Sequence, residues 1–270
     1  RSTLDRSSAA SDVYKRQVRT SVGSTEQYTR SLLRRLDETM TNVAIIFIGT
    51  NKYLDFLPRY YEQCEEHLMP DANKQYFIFT DGELDGTPEN MSVYNIEHKA
   101  WPAITLERFH TILEAEKELK KFDWMLFLDA DMVVQKKIFS HEILDPEKEY
   151  LAVHHPCHHA DYTGTFETNP KSEAYVEGEQ KNYYQGCLWG GQVKHIIPMM
   201  KTLRDRVDKD YENDIIAVWH DESQINKFFL ENEDKVNALP PDYAYPECFP
   251  HYTYDRKIIH LAKDNSTLQT

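Results

Sequence analysis

From Val43 the chain runs through seven residues, VAIIFIG, without a polar side chain. An unbroken apolar run of this kind is the pattern of a strand covered on both faces. The period then changes. In YLDFLPRYYEQCEEHL, Leu54, Leu57, Tyr61, Cys64 and Leu68 fall at helical spacing, and Pro58 suits a helix only near its first turn. QYFIFTD predicts a second strand and MSVYNIE a third. ITLERFHTILEAEKELKKF predicts the clearest helix, with Phe109, Ile112, Leu113 and Leu119 on one stripe. WMLFLDAD returns to strand. Alternating strands and helices predict a mainly parallel α/β sheet with both faces covered. Beyond residue 150 the pattern loosens into aromatics, histidines and short polar segments. Helical spacing returns in HIIPMMKTLRDRVDKDY and in WHDESQINKFFLEN.

Open α/β sheets gather ligands at the carboxyl ends of their strands. Gly49, Asp81, Asp129 and Asp131 fall at such ends. Asp129 and Asp131, separated by Ala130, repel each other unless water or a cation intervenes. On the motif alone, an acidic strand end in water is the default. A Mg²⁺ or Mn²⁺ ion bridging a nucleotide diphosphate is the metal reading. DADMV also fits the DxDx(T/V) pattern of haloacid-dehalogenase-type phosphatases, with a nucleophilic and an acid/base aspartate. There the motif should follow the first strand and lead into a glycine-containing turn; here a half-sheet precedes it and no glycine follows.

Composition narrows the partners. Lys and Arg total 31 against 45 Asp and Glu, a formal net charge of −14, which argues against nonspecific attraction to nucleic acid or anionic membrane. The 17 tyrosines suit sugar or planar-ring recognition as well as the edge of a core. The four cysteines, Cys64, Cys157, Cys187 and Cys248, form no CxxC pair and read as reduced thiols. No stretch reaches the ~20 apolar residues of a membrane span, and there is no secretory apolar region. The opening RSTLDRSSAASDVYKRQ reads as tag or linker; STEQYTRSLLRRLDETM has the makings of one charged helix with Leu32, Leu33 and Leu36 on one side. Residues 1–40 are therefore set apart from a single domain over 41–270. In HHPCHHAD the histidines tempt a zinc assignment, but their spacing matches no standard site.

Three further segments carry a resemblance. FETNPKSEAYV (Phe166–Val176), NYYQGCLWGG (Asn182–Gly191) and above all AVWHDESQINKFF (Ala217–Phe229) closely resemble glycosyltransferase family 6. This is the family of the histo-blood-group A and B transferases and the α1,3-galactosyltransferases. The resemblance extends in order from about Val43 to Tyr243. It implies a GT-A fold, a nucleotide-binding Rossmann-like half fused to an acceptor-binding half. It also implies transfer of galactose or N-acetylgalactosamine from a UDP-sugar to a β-galactoside-type glycan acceptor, with retention of the α configuration.

Residue by residue, IGTNKY matches the segment along uracil. Ile48, Gly49 and Thr50 would contact it through the backbone and Tyr53 would stack on it. Ile104 and Arg108, in WPAITLERF, match positions lining the uridine and donor sugar, and Asp129-Ala130-Asp131 matches the metal-binding stretch. Gln185, Gly186 and Cys187 occupy the donor-sugar specificity stretch. Asp221 and Glu222 occupy the catalytic one, with Trp219 as an apolar wall on the acceptor side. His155 falls in the segment that lines the acceptor pocket. Both aspartates are kept, so the resemblance implies dependence on Mn²⁺, with Mg²⁺ as substitute. The basic tail that animal members close over the diphosphate does not align; in KIIHLAKDN, Lys263 is the candidate cation over the phosphates. His260 is weighed as a third metal ligand against a buried strand histidine, and the latter is preferred.

Each assignment has a plain structural competitor. Tyr53 would be a core edge, and Arg108 the partner of a carboxylate one turn away. HDESQ would be a helix start with Asp221 capping and Gln224 reaching back. Gly190–Gly191 would be a turn. The functional rivals are the phosphatase and an inactive nucleotide-sugar- or glycan-binding module. Lack of an anchor favours the cytoplasm; the Golgi lumen is the alternative if an anchor precedes this chain.

Overall fold

The computed structural model describes residues 40–156, 165–178, 180–249 and 255–262. Contacts divide the chain at Met40/Thr41, and the fold below is that of Thr41–Thr270. The linker-like opening, Cys157, the second histidine pair of HHPCHHAD and Lys263 lie outside the described residues.

A seven-stranded sheet forms the centre. Its strands are β1 (Asn42–Ile48), β2 (Asn73–Thr80), β3 (Met91–Asn95), β4 (Trp124–Leu128), β6 (Tyr150–His154), β7 (Tyr184–Gln192) and β8 (Val236–Leu239). They lie in the order β3-β2-β1-β4-β7-β6-β8. The first four run parallel, and β7 runs antiparallel to both of its neighbours. A second sheet of three short strands, β5 (Met132–Val134), β9 (Tyr245–Pro246) and β10 (Ile258–His260), is ordered β5-β10-β9.

The unbroken apolar runs exist because both faces are covered. Val43, Ile45 and Phe47 of β1 and Leu126 and Leu128 of β4 enter one core. Ala44, Ile46, Met125 and Phe127 enter the other, the two-residue alternation of an extended chain. The first core is closed by α1 (Leu57–His67), the second by α5 (Val193–Glu212) and α6 (His220–Glu231), together with the short helices described next.

Two readings differ from the structure. The predicted helix after Ile104 is three short helices, α2 (Ala103–Leu106), α3 (Arg108–Leu113) and α4 (Glu116–Leu119). Non-helical backbone at Glu107 and Ala115 separates them. Phe109, Ile112 and Leu119 are buried as expected. The break at Glu107 comes where Arg108 must turn its guanidinium to the ends of β4 and β7, so tertiary contacts override a helical period. In α1 the buried tyrosine is Tyr60, whose hydroxyl donates to Ile46 O at 3.2 Å. Tyr61 packs at the edge of the same core, as its helical spacing predicts, and bonds to Asn90.

Gly190 and Gly191 make no turn; they lie inside β7. A Cβ on Gly190 would sit 2.2 Å from Met125 O of β4, and Gly191 has φ +149 with Glu149 O 2.3 Å from its would-be Cβ. Only glycine allows so close an approach of three backbones. Gly190→Ala is expected to lower stability by about 1–3 kcal/mol, read from the denaturant midpoint. An unchanged midpoint would show that β4 and β7 separate freely.

Candidate active site

The site lies at the carboxyl edge of β1 and β4. Ile48, Thr50, Tyr53, Ile104, Arg108, Asp129, Ala130 and Asp131 line one pocket there, with His98, Lys99, Trp101, Thr105 and Phe127. Gly49 lies between two of these residues, its N–H donating to Phe79 O. The loop after β1 is held by Asn51 N donating to Asp81 Oδ1, and Thr50 Oγ1 lies 2.8 Å from His98 Nδ1. A second groove, at the opposite end of β4, is lined by Lys120, Lys194 and Lys201, of which Lys120 and Lys201 pair with Glu116.

Beyond Leu128 the chain turns sharply, with Asp129 N donating to Cys187 O and Met132 N to Asp129 O. Asp131 is thereby buried and Asp129 half-buried. The register of β10 on β5 pairs His260 with Met132, which brings His260 Nε2 to 3.1 Å from Asp131 Oδ2. One ligand atom from each of Asp129, Asp131 and His260 lies within 4.8 Å of the others. Burial pulls the His260 pKa down, but Asp131 and Cys187 outweigh it and push it up to about 11.

Arg108 ties this group to Asp221 at the start of α6. Its guanidinium is 3.4 Å from Asp129, 3.2 Å from Asp221 and 3.2 Å from Gly186 O, and it stacks 4.5 Å from the Phe127 ring centre. Burial acts to lower its pKa, and the two aspartates hold it above the usual value. Asp221 is therefore no helix cap. The cap of α6 is Trp219, whose N–H donates to Ser223 Oγ, and Gln224 turns inward to donate to buried Asp210. Burial pushes Asp221 up to about 7 against the pull of Arg108.

Glu222 is held at both oxygens. Gly186 N donates to Oε2 at 2.7 Å and Tyr183 Oη to Oε1 at 2.6 Å. Burial raises its pKa while these two bonds oppose the rise. A Cβ on Gly186 would lie 3.1 Å from Glu222 Cβ, so glycine is what lets β7 reach the carboxylate. Gln185 and Cys187 are buried. Gln185 Nε2 donates to Ala244 O at 2.7 Å and His154 O at 3.2 Å, and Cys187 Sγ is 3.7 Å from Gln185 Oε1. Burial raises the Cys187 pKa, opposed by His260. His155, beyond β6, donates its N–H to Tyr183 O and packs its ring 5.8 Å from that of Tyr183. Trp219 is half exposed beside the site.

The structure thus gathers Asp129, Asp131, Arg108, Gly186, Asp221 and Glu222 into one constellation. Sequence reasoning passed over Tyr183, His98 and Lys99 and ranked His260 as a strand residue. His260 is on a strand and in the acidic group at once, because β10 pairs beside the aspartates. Among the described residues, Asp129, Asp131 and His260 bring hard oxygen donors and one nitrogen within reach of a common point, a donor set that fits a divalent cation.

A mainly parallel sheet with an acidic D-x-D turn at its carboxyl edge is the arrangement of a GT-A glycosyltransferase fold. Comparison with known proteins gives the family. The family described as Glycosyltransferase family 6 matches residues 22–268, and the chain belongs to it. The O-antigen biosynthesis glycosyltransferase WbnI of Escherichia coli is 28% identical over 230 residues, 83% of this chain and 96% of its own length. Histo-blood group ABO system transferase 2 of Rattus norvegicus is 26% identical over 219 residues, 77% of this chain and 64% of its own. Globoside alpha-1,3-N-acetylgalactosaminyltransferase 1 of Homo sapiens is 28% identical over 220 residues, 77% and 62% respectively. The chain spans less than two thirds of the length of these animal relatives. Among the described residues no helix is long and apolar enough to cross a membrane.

Proposed function

We propose that the chain transfers galactose from UDP-galactose to the 3-hydroxyl of a β-galactoside-type glycan, with retention of the α configuration and dependence on Mn²⁺. The observation that carries this reading is the convergence of Glu222, Asp221 and Arg108 with the Asp129–Asp131–His260 group on one strand edge. The tilt of the names towards α1,3 transfer among relatives, such as Alpha-1,3-galactosyltransferase 2 of Homo sapiens, supports the linkage.

Asp129, Asp131 and His260 would hold the cation, which when bound supplies charge neutralisation for a diphosphate leaving group. Ile48, Gly49, Thr50 and Tyr53 seat the uracil, and Ile104 and Arg108 flank the uridine and sugar. Lys263 is assigned to the phosphates. Asp221, fixed against Arg108, orients the sugar hydroxyls. Glu222 supplies negative charge at the anomeric carbon, as a nucleophile or as the counter-charge of an oxocarbenium-like centre. Trp219 and His155 bound the acceptor.

Donor choice is assigned to Cys187. In the family, glycine at this position leaves room for an N-acetyl group and alanine favours the hydroxyl; cysteine is bulkier still. Cys187→Gly should move the ratio of specificity constants towards UDP-N-acetylgalactosamine, within the roughly 10–200-fold that a small steric change commands. No change in that ratio would remove Cys187 from the specificity site. The reading as a whole is tested with a panel of UDP-sugars and Mn²⁺, with and without β-galactoside acceptors. Acceptor-dependent UDP release from UDP-galactose supports it. UDP bound but never turned over would identify a binding module, and phosphate release from phosphomonoesters the phosphatase.

A further inference from the structure

We propose that Tyr183 is a positioning residue for Glu222, a reading that rests on the assignment of Glu222 above. The terminal torsion of a glutamate is soft, so a single hydrogen bond leaves its carboxylate free to swing. Here each oxygen has its own donor, Tyr183 Oη on Oε1 and Gly186 N on Oε2. Gly186 lies on β7 and Tyr183 immediately precedes it, so the two donors flank Tyr184 and Gln185 and define the carboxylate plane from one end of that strand.

The frame behind that edge is built to keep the distance fixed. Asn226, one helical turn after Glu222, accepts from Tyr184 N at 2.8 Å and donates to Tyr184 O at 2.8 Å and to Glu222 O at 2.9 Å. It locks α6 to β7 at the residue next to Tyr183. The phenol itself is buried. Its ring meets Phe166 edge-on at 5.1 Å and His155 at 5.8 Å. Tyr183 therefore joins the segment assigned to the acceptor with the carboxylate assigned to the donor's anomeric carbon. Its proton stays on oxygen, since burial and the neighbouring Glu222 raise its pKa. It acts as a donor to Glu222 and takes no part in proton transfer.

The removal of one bond to a charged group sets the scale. Tyr183→Phe keeps the ring and its packing and loses only the hydroxyl. It should lower kcat roughly 10- to 100-fold, with KM for the UDP-sugar and the melting temperature nearly unchanged. Because the bond acts through Glu222, the effect should vanish in a Glu222→Gln background, the non-additivity expected of groups that act as a unit. Phe166→Leu, which alters the packing of the ring but keeps the hydroxyl, should retain kcat within about threefold. The experiment measures kcat, KM and melting temperature for the full chain and these variants, including Tyr183→Phe combined with Glu222→Gln. A Tyr183→Phe enzyme with wild-type kcat beside a slow Glu222→Gln enzyme overturns the inference and leaves the role of Glu222 standing. Effects that multiply in the double variant also overturn it, as a merely structural role would give. A Glu222→Gln enzyme at wild-type rate overturns both readings.

Discussion

Glu222→Gln should lower turnover by about 10²-fold or more, the scale of losing one transition-state electrostatic partner, while UDP affinity stays nearly intact. The side chain is half-buried, bonded at both oxygens, and beside Asp221 and Gly186. It lies outside the residues lining the pocket proposed to seat the nucleotide. The amide keeps the volume and one accepting oxygen, so the fold tolerates it. What is lost is charge where positive charge develops on the sugar. Calorimetry with UDP, paired with a turnover assay, separates the two effects. Unchanged turnover, or loss of UDP affinity alone, would make Glu222 a structural residue.

The second large effect concerns the cation. Chelation should abolish transfer and added Mn²⁺ should restore it. Asp131→Asn should cost far more than a surface substitution, because Asp131 is buried and its charge is one of the hard donors. His260→Ala should raise the Mn²⁺ concentration for half-maximal activity by at least about tenfold, and direct calorimetric titration of Mn²⁺ should show the same weakening. Full activity in excess EDTA would exclude the metal reading. A His260→Ala enzyme with normal Mn²⁺ affinity would return His260 to an ion-pair partner of Asp131.

These two effects differ in how far they were legible in the chain. Glu222 was found through WHDES, and Asp129 and Asp131 through an apolar run that stops at two carboxylates. Both signals are local, and both survive into the structure because β4 is covered on its two faces. His260 carries no such signal. It reaches Asp131 only through the register of β10 on β5, a pairing of segments more than a hundred residues apart. Tyr183 was hidden for a related reason. NYYQGC was read only through its resemblance, and which tyrosine meets Glu222 depends on how Asn226 sets α6 against β7. The break in the helix after Ile104 was also illegible. Periodicity reports which residues are apolar, not that Arg108 is drawn out of line by Asp129 and Asp221. A turn was the structural competitor for Gly190 and Gly191, since two glycines in a row look the same wherever backbones must touch.

A cation-dependent transfer with retention is read from the linkage that the chain forms. The full chain is incubated with UDP-galactose, Mn²⁺ and a β-galactoside, and the product is examined by NMR for its anomeric coupling and site of attachment. The expected product carries an α-galactosyl group on the 3-hydroxyl, formed with Mn²⁺ and absent with EDTA. A β-linked product, or the same product in excess EDTA, would contradict the account.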